Sequence, residues 1–326
     1  GGGDPAQIAD LLFAAATDHR YLSIGHVLDF TNKALEALDM VGWQHAEAVL
    51  PSLVLNYATA DRMEESNAWR HPVDLVAILH AAFDRLPEAL ETGARRQAVW
   101  GGRTALIPVL LGEDPRAIAD ALLTALREGA TLQALGGAVA YAAALRIARF
   151  HTANEFGDWD TVLHTFTFAN AVFQGLRRAP SPELARGFFA AAMSIYLDRF
   201  LNVPAARLPE GGPGPAEDRR VLDELLTTLD RRQQVDEAGI LVARYLALGA
   251  DATLLLATLG HALFREDRDF HTIQALEAAF RVFALMEDPA EKSHVLIAAA
   301  RYLAAHAPTP RAQGQTFQIA YRLHRG

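Results

Sequence analysis

Two histidines and three carboxylates fall within RFHTANEFGDWDTVLHTFTFANAV, residues 149 to 172, in a chain otherwise dominated by alanine- and leucine-rich segments. Read as helix, His151 and Glu155 stand four apart and share a face, and Asp160 and His164 repeat the spacing on the next helix, beyond a break at Gly157. Imidazole and carboxylate so placed either ligate one ion or hydrogen-bond each other, Glu155 and Asp160 then orienting the rings. The competing reading is a polar seam of a helical bundle in which each histidine is satisfied by its neighbouring acid.

Other stretches carry similar groups. In YLSIGHVLDFTNKALEALDMVGWQHAEAVLPSLV, His26, Asp29 and Lys33 fall at spacings of three and four, one face of a helix, with His45 much later. GHALFREDRDFHTIQALEAAF sets His261 and His271 on either side of the charge run REDRD, which reads as solvated. RMEESNAWRHPVDLVAILHAAF gathers Trp69, Arg70 and His71 before a proline, with His80 further on. That is either a substrate-facing loop or an interhelical salt-bridge loop. Lys292 and His294 stand two apart and point to different sides of a helix, so at most one of them faces a given site. No phosphate-binding glycine loop, nucleophile elbow, HExxH pair or EF-hand loop is present.

Composition narrows the chemistry. There is no cysteine, which excludes thiolate nucleophiles, disulfides and iron–sulfur clusters held by this chain; a metal must use His, Asp, Glu or a modified lysine. Lys33 and Lys292 are the only lysines. A net charge of −9 and the lack of a basic run argue against nucleic acid as a partner. No apolar run reaches membrane-spanning length without a charge or turn, no leader pattern opens the chain, and the initial triglycine reads as a cloning scar, so the expected compartment is the cytoplasm.

Apolar residues recur at a period of three to four almost throughout, as in DPRAIADALLTALREGA and AEKSHVLIAAARYLAAHA, and sustained strand alternation is missing, so the expected class is all-α. Asp114–Pro115, Ser181–Pro182 and Asp288–Pro289 mark helix starts. The expected organisation is one large multi-helix domain over 1–308, with halves 1–202 and 218–308 joined by a Pro/Gly loop at 203–217, and a tail at 309–326 that loses the period. LHTFTFANAVFQGL (163–176) laid on FHTIQALEAAFRVF (270–283) suggests a pseudo-repeat, each copy bringing one histidine inward.

This order of apolar helical segments with inward histidines, carried by HVLDFTNKALEALDMVG, the pair His151 and His164, and FHTIQALEAAF, resembles the questin oxidase-like family of haem-free helical oxygenases. The resemblance implies a non-haem iron held by His26, His151, His164 and His271, with His261 as replacement. A carbamylated lysine would complete the shell, Lys292 before Lys33, unless Glu155 ligates in its place. The acid-rich WDTVLHT departs from the family's plainer pattern. Asp29, Glu155 and Asp160 would stand behind the ligands, and Trp69, His71 and Trp159 would face a small apolar or aromatic substrate. Electrons would come from a redox partner, since this chain has no cysteine. Two rivals remain: a metal-free helical scaffold that binds a partner protein, and a metal-dependent hydrolase.

Overall fold

The computed structural model describes residues 4–96, 99–211 and 217–325. Among these residues the chain is helical, without a strand. The triglycine and residues 212–216 of the expected loop lie outside the described residues; 203–211 form no helix. The residues cluster into two compact units, whose boundaries fall inside two of the helices.

The first unit comprises Gly1–Ala143 and His164–Phe200. Its longer helices are α1 (Pro5–Thr17), α2 (His26–Val41), α3 (Leu75–Ala94), α4 (Arg103–Leu110), α5 (Pro115–Arg127), the first part of α6 (Leu132–Ala148), most of α7 (Phe156–Arg178), and α8 (Pro182–Asp198). Asp114 and Ser181 cap α5 and α8 through the backbone N–H groups of Ala117 and Leu184, each ahead of a first-turn proline, as the sequence predicts. Helix α8 is apolar almost all round (FFAAAMSIY) and is accordingly central, packed on α1, α3, α4 and α5.

The second unit comprises Ala144–Leu163 and Leu201–Gly326. After the shared parts of α6 and α7 come α9 (Asp218–Thr228), α10 (Val235–Ala247), α11 (Ala252–Arg265), α12 (Phe270–Leu285), α13 (Pro289–His306) and α14 (Gln313–Arg325). Helix α13 plays the part of α8: VLIAAARYLA is buried on every side, against α10 and α12. Arg301 is the one cation on that buried run and is wholly enclosed; it donates to the Phe150 carbonyl at 2.6 Å and to Asp236 at 2.5 Å.

Two expectations are corrected here. The tail past 309 is not without a period, since residues 313–325 form α14. The run REDRD is not simply solvated: Glu266 is buried, accepting from Thr309 and Arg311, and Asp267 receives the Ala312 and Gln313 N–H groups at 2.8 Å each, capping α14 from 45 residues upstream. Burial alone would raise the Glu266 carboxyl, but hydrogen bonds from Arg311 and Thr309 hold it below its ordinary value. A carboxyl depressed in the folded state contributes stability above its unfolded pKa and loses it as pH falls through the folded one. The urea midpoint is therefore expected to fall as pH drops below about 4, less steeply in Glu266→Gln. Equal acid slopes in the two proteins would contradict this account.

Candidate metal centre

His26 opens α2 after an unusual approach. Tyr21, Ser23, Ile24 and Gly25 all have positive φ, at 55°, 45°, 53° and 96°. Three of the four carry side chains and one is β-branched, a concentration of left-handed backbone that costs free energy and gathers at functional sites. It is held by Ser23, whose N–H donates to the Asp61 carbonyl at 2.8 Å while its Oγ accepts from the Asp61 N–H at 3.0 Å. Gly25 is obligatory by contact as well as by φ, because a Cβ there would lie 2.8 Å from Phe168 Cβ and 3.1 Å from the Tyr21 ring. Gly25→Ala is expected to cost about 2 kcal/mol through left-handed strain and overpacking. Thermal denaturation would show this, and an unchanged midpoint would mean that the turn relaxes freely.

Across the first unit, His164 stands in mid α7, only 8% exposed, with its ring centroid 4.7 Å from that of His26 at an interplanar angle of 67°. Asp29, one turn along α2 from His26, is buried to 1% exposure. The second unit presents His271 in the first turn of α12. The Phe270 ring lies 3.8 Å from it, and Asp269 Oδ2 is 3.7 Å from its Nδ1. Asp269 is the α12 N-cap and accepts from the Thr272 N–H at 3.0 Å. Burial alone would raise its carboxyl, but the Thr272 bonds and His271 hold it low.

Within the first unit His26 and His164 each offer a ring nitrogen, and these atoms lie within 4.8 Å of one another. Two imidazoles bound at about 2.1 Å to one tetrahedral ion need nitrogens about 3.4 Å apart. The donor set is neutral, so an ion keeps its full charge and its remaining coordination positions.

The other sequence candidates are placed elsewhere. His151 and Glu155 do not share a helix, because the chain is irregular between α6 and α7; Gly157 does not end a helix but lies in the first turn of α7. The His151 ring caps its own turn, Nδ1 accepting from the Ala153 N–H at 3.1 Å, and Glu155 is exposed. His261 is exposed on α11. Lys292 sets its ammonium 5.2 Å from the centre of the Phe283 ring, and Lys33 pairs with Glu36 at 3.0 Å. Trp69 and Trp159 are 2% exposed, packed near Tyr21 and edge-on to Phe150, while His71 is exposed. Around Trp69 the chain forms a tie: Glu64 meets His19 Nδ1 at 2.6 Å and accepts from the Arg20 N–H, and the Glu64 carbonyl accepts from Arg70.

Asp160 takes partners that sequence reasoning missed. Its Oδ1 accepts from the Tyr302 hydroxyl at 2.8 Å and meets His306 Nε2 at 3.3 Å. Burial alone would raise its carboxyl, yet the bonds from His306 and Tyr302 and the proximity of His271 hold it low. Burial and the Asp160 charge push the Tyr302 phenol well above its usual value. The signal was present as Tyr302 and His306 four apart on one helix, obscured by the apolar run around them. Among the described residues no helix is long and apolar enough to cross a membrane. No family model, curated protein or solved structure matches the chain.

Proposed function

We propose that this chain is a metalloprotein that holds iron on histidines, His26 and His164 among them, and acts as an oxygenase or oxidase on a small apolar or aromatic molecule. The observation that carries the reading is the meeting of two imidazoles from sequence-distant helices of the first unit within one ion's reach. Neutral imidazole sets suit Fe(II), and helical bundles present such ligands from facing helices. The strained entry to α2 supports it, because residues held in left-handed conformations gather at functional sites and this turn leads directly into His26.

Iron bound there would supply dioxygen activation. The protein's own groups would do the rest. Phe30, with its ring 5.8 Å from His26, would give an apolar side chain beside the ligands for an aromatic substrate to meet. Asp29 brings a buried carboxylate one turn from His26, offsetting the charge of an ion. Lys292, Lys33, His151 and His261 are left out of this ligand set because of the placements given above. Electrons would come from an external reductant or a redox partner.

Elemental analysis of the purified chain, followed by dioxygen uptake with a chemical reductant, tests the proposal. Iron at about one per chain with reductant-dependent uptake is the expected result. No retained metal after iron supplementation would overturn it and turn His26 and His164 into a polar seam. A bound metal without uptake would move the reading to hydrolysis by metal-bound water.

A further inference from the structure

Helix α14 is an amphipathic arm. Every residue from 311 to 325 is exposed, including Phe317 at 63%, Ile319 at 52% and Leu323 at 79%. At helical spacing Ile319, Leu323, Ala320, Phe317 and Tyr321 share one broad face, flanked by Arg325, which lies over the Tyr321 ring. A lone helix of 13 residues is marginal in water. Yet the chain anchors its root firmly: Glu266 and Asp230 hold Arg311, Thr309 bonds Glu266, and Asp267 caps the first turn. A rooted helix with a bare apolar face is built to be covered.

The same unit contains an open groove of about 570 Å³ along α9 and α11, floored by Leu222, Leu226 and Leu254 and edged by Asp218 and Asp223, with Arg219 and His261 also on its lining. Leu254 is 51% exposed. Two relations tie the groove to the arm. The arm carries Arg322, His324 and Arg325 and no acid, complementing the aspartates of the groove and a chain of net charge −9. Its root lies at the C-terminal ends of the two groove helices, since Asp230 follows α9 and Glu266 follows α11. An arm that leaves from the end of a groove can enter the same groove of a two-fold related copy while receiving that copy's arm, a closed and self-complementary exchange.

We propose that α14 docks in the α9/α11 groove of a second copy of this chain, forming a reciprocal dimer. Neither surface belongs to the histidine group, so metal content and dimerisation fail independently.

The test is sedimentation of the full chain from low to high micromolar concentration. Wild type is expected at twice the monomer mass. The arm variant Phe317→Asp/Leu323→Asp and the groove variant Leu254→Lys alter exposed positions and should keep the far-UV helical signal. Each alone is expected to raise the dissociation constant by at least about tenfold, whereas an equimolar mixture of the two should associate, because one intact arm then meets one intact groove. A wild type that is monomeric throughout, or an arm variant that still dimerises, would overturn the proposal. So would a monomer whose arm instead binds vesicles of anionic phospholipid, which would assign the helix to a lipid surface.

Discussion

Replacing His164 by alanine is expected to take the metal content from about one ion per chain to below about a tenth, with the helical signal largely retained. The imidazole lies 4.7 Å from that of His26, and ring nitrogens of the two are within 4.8 Å. Removing it takes away one nitrogen donor, and a site that loses a donor holds a divalent ion far more weakly. His26→Ala should act alike. The informative control is His151→Ala, since His151 closes a turn with Ala153 in the segment before α7. Full metal in His151→Ala beside its loss in His164→Ala and His26→Ala is the pattern required. Full metal in His164→Ala would remove the group from consideration.

The largest stability effect is expected at Arg301. Its side chain is fully enclosed in α13 and satisfies the Phe150 carbonyl, while its other partner, Asp236, is 61% exposed. Arg301→Ala would open a cavity and orphan a buried carbonyl, together costing about 3–5 kcal/mol. The exposed aspartate regains water and adds little. Arg301→Met fills much of the volume and should recover part of the loss, leaving roughly the 1–3 kcal/mol of the unpaired carbonyl. Urea unfolding of the three proteins measures both steps. A loss below about 1 kcal/mol for the alanine variant would mean that water replaces the guanidinium, and the enclosure described for Arg301 would be wrong.

The metal and the arginine predictions probe different properties. Loss of His164 should leave the fold and remove the ion, whereas loss of Arg301 should weaken the second unit through packing and hydrogen bonding. Measuring metal content and the unfolding midpoint on both variants separates a defect at the histidines from a general loosening of the chain.

All-α class and helix starts were legible in the sequence, because they rest on local physics. The period of apolar residues decides helix against strand, and the Asp–Pro and Ser–Pro pairs satisfy orphan N–H groups without help from distant residues. His26 and His164 were legible only as members of a longer set of candidates, since a histidine's type says what it can bind and not what it meets. What separated them from His151 and His261 was tertiary. The non-helical chain between α6 and α7 turns His151 into a cap, and the packing of α11 leaves His261 in solvent. Glu266 and Asp267, which looked like surface charge, are bound by groups more than 40 residues away, and Asp160 finds Tyr302 and His306 at still greater separation. Helix periods and caps are set within a turn or two of chain, so the sequence by itself determined them. The partners of a buried polar group are chosen by which distant segments close around it, and only the tertiary structure decided that.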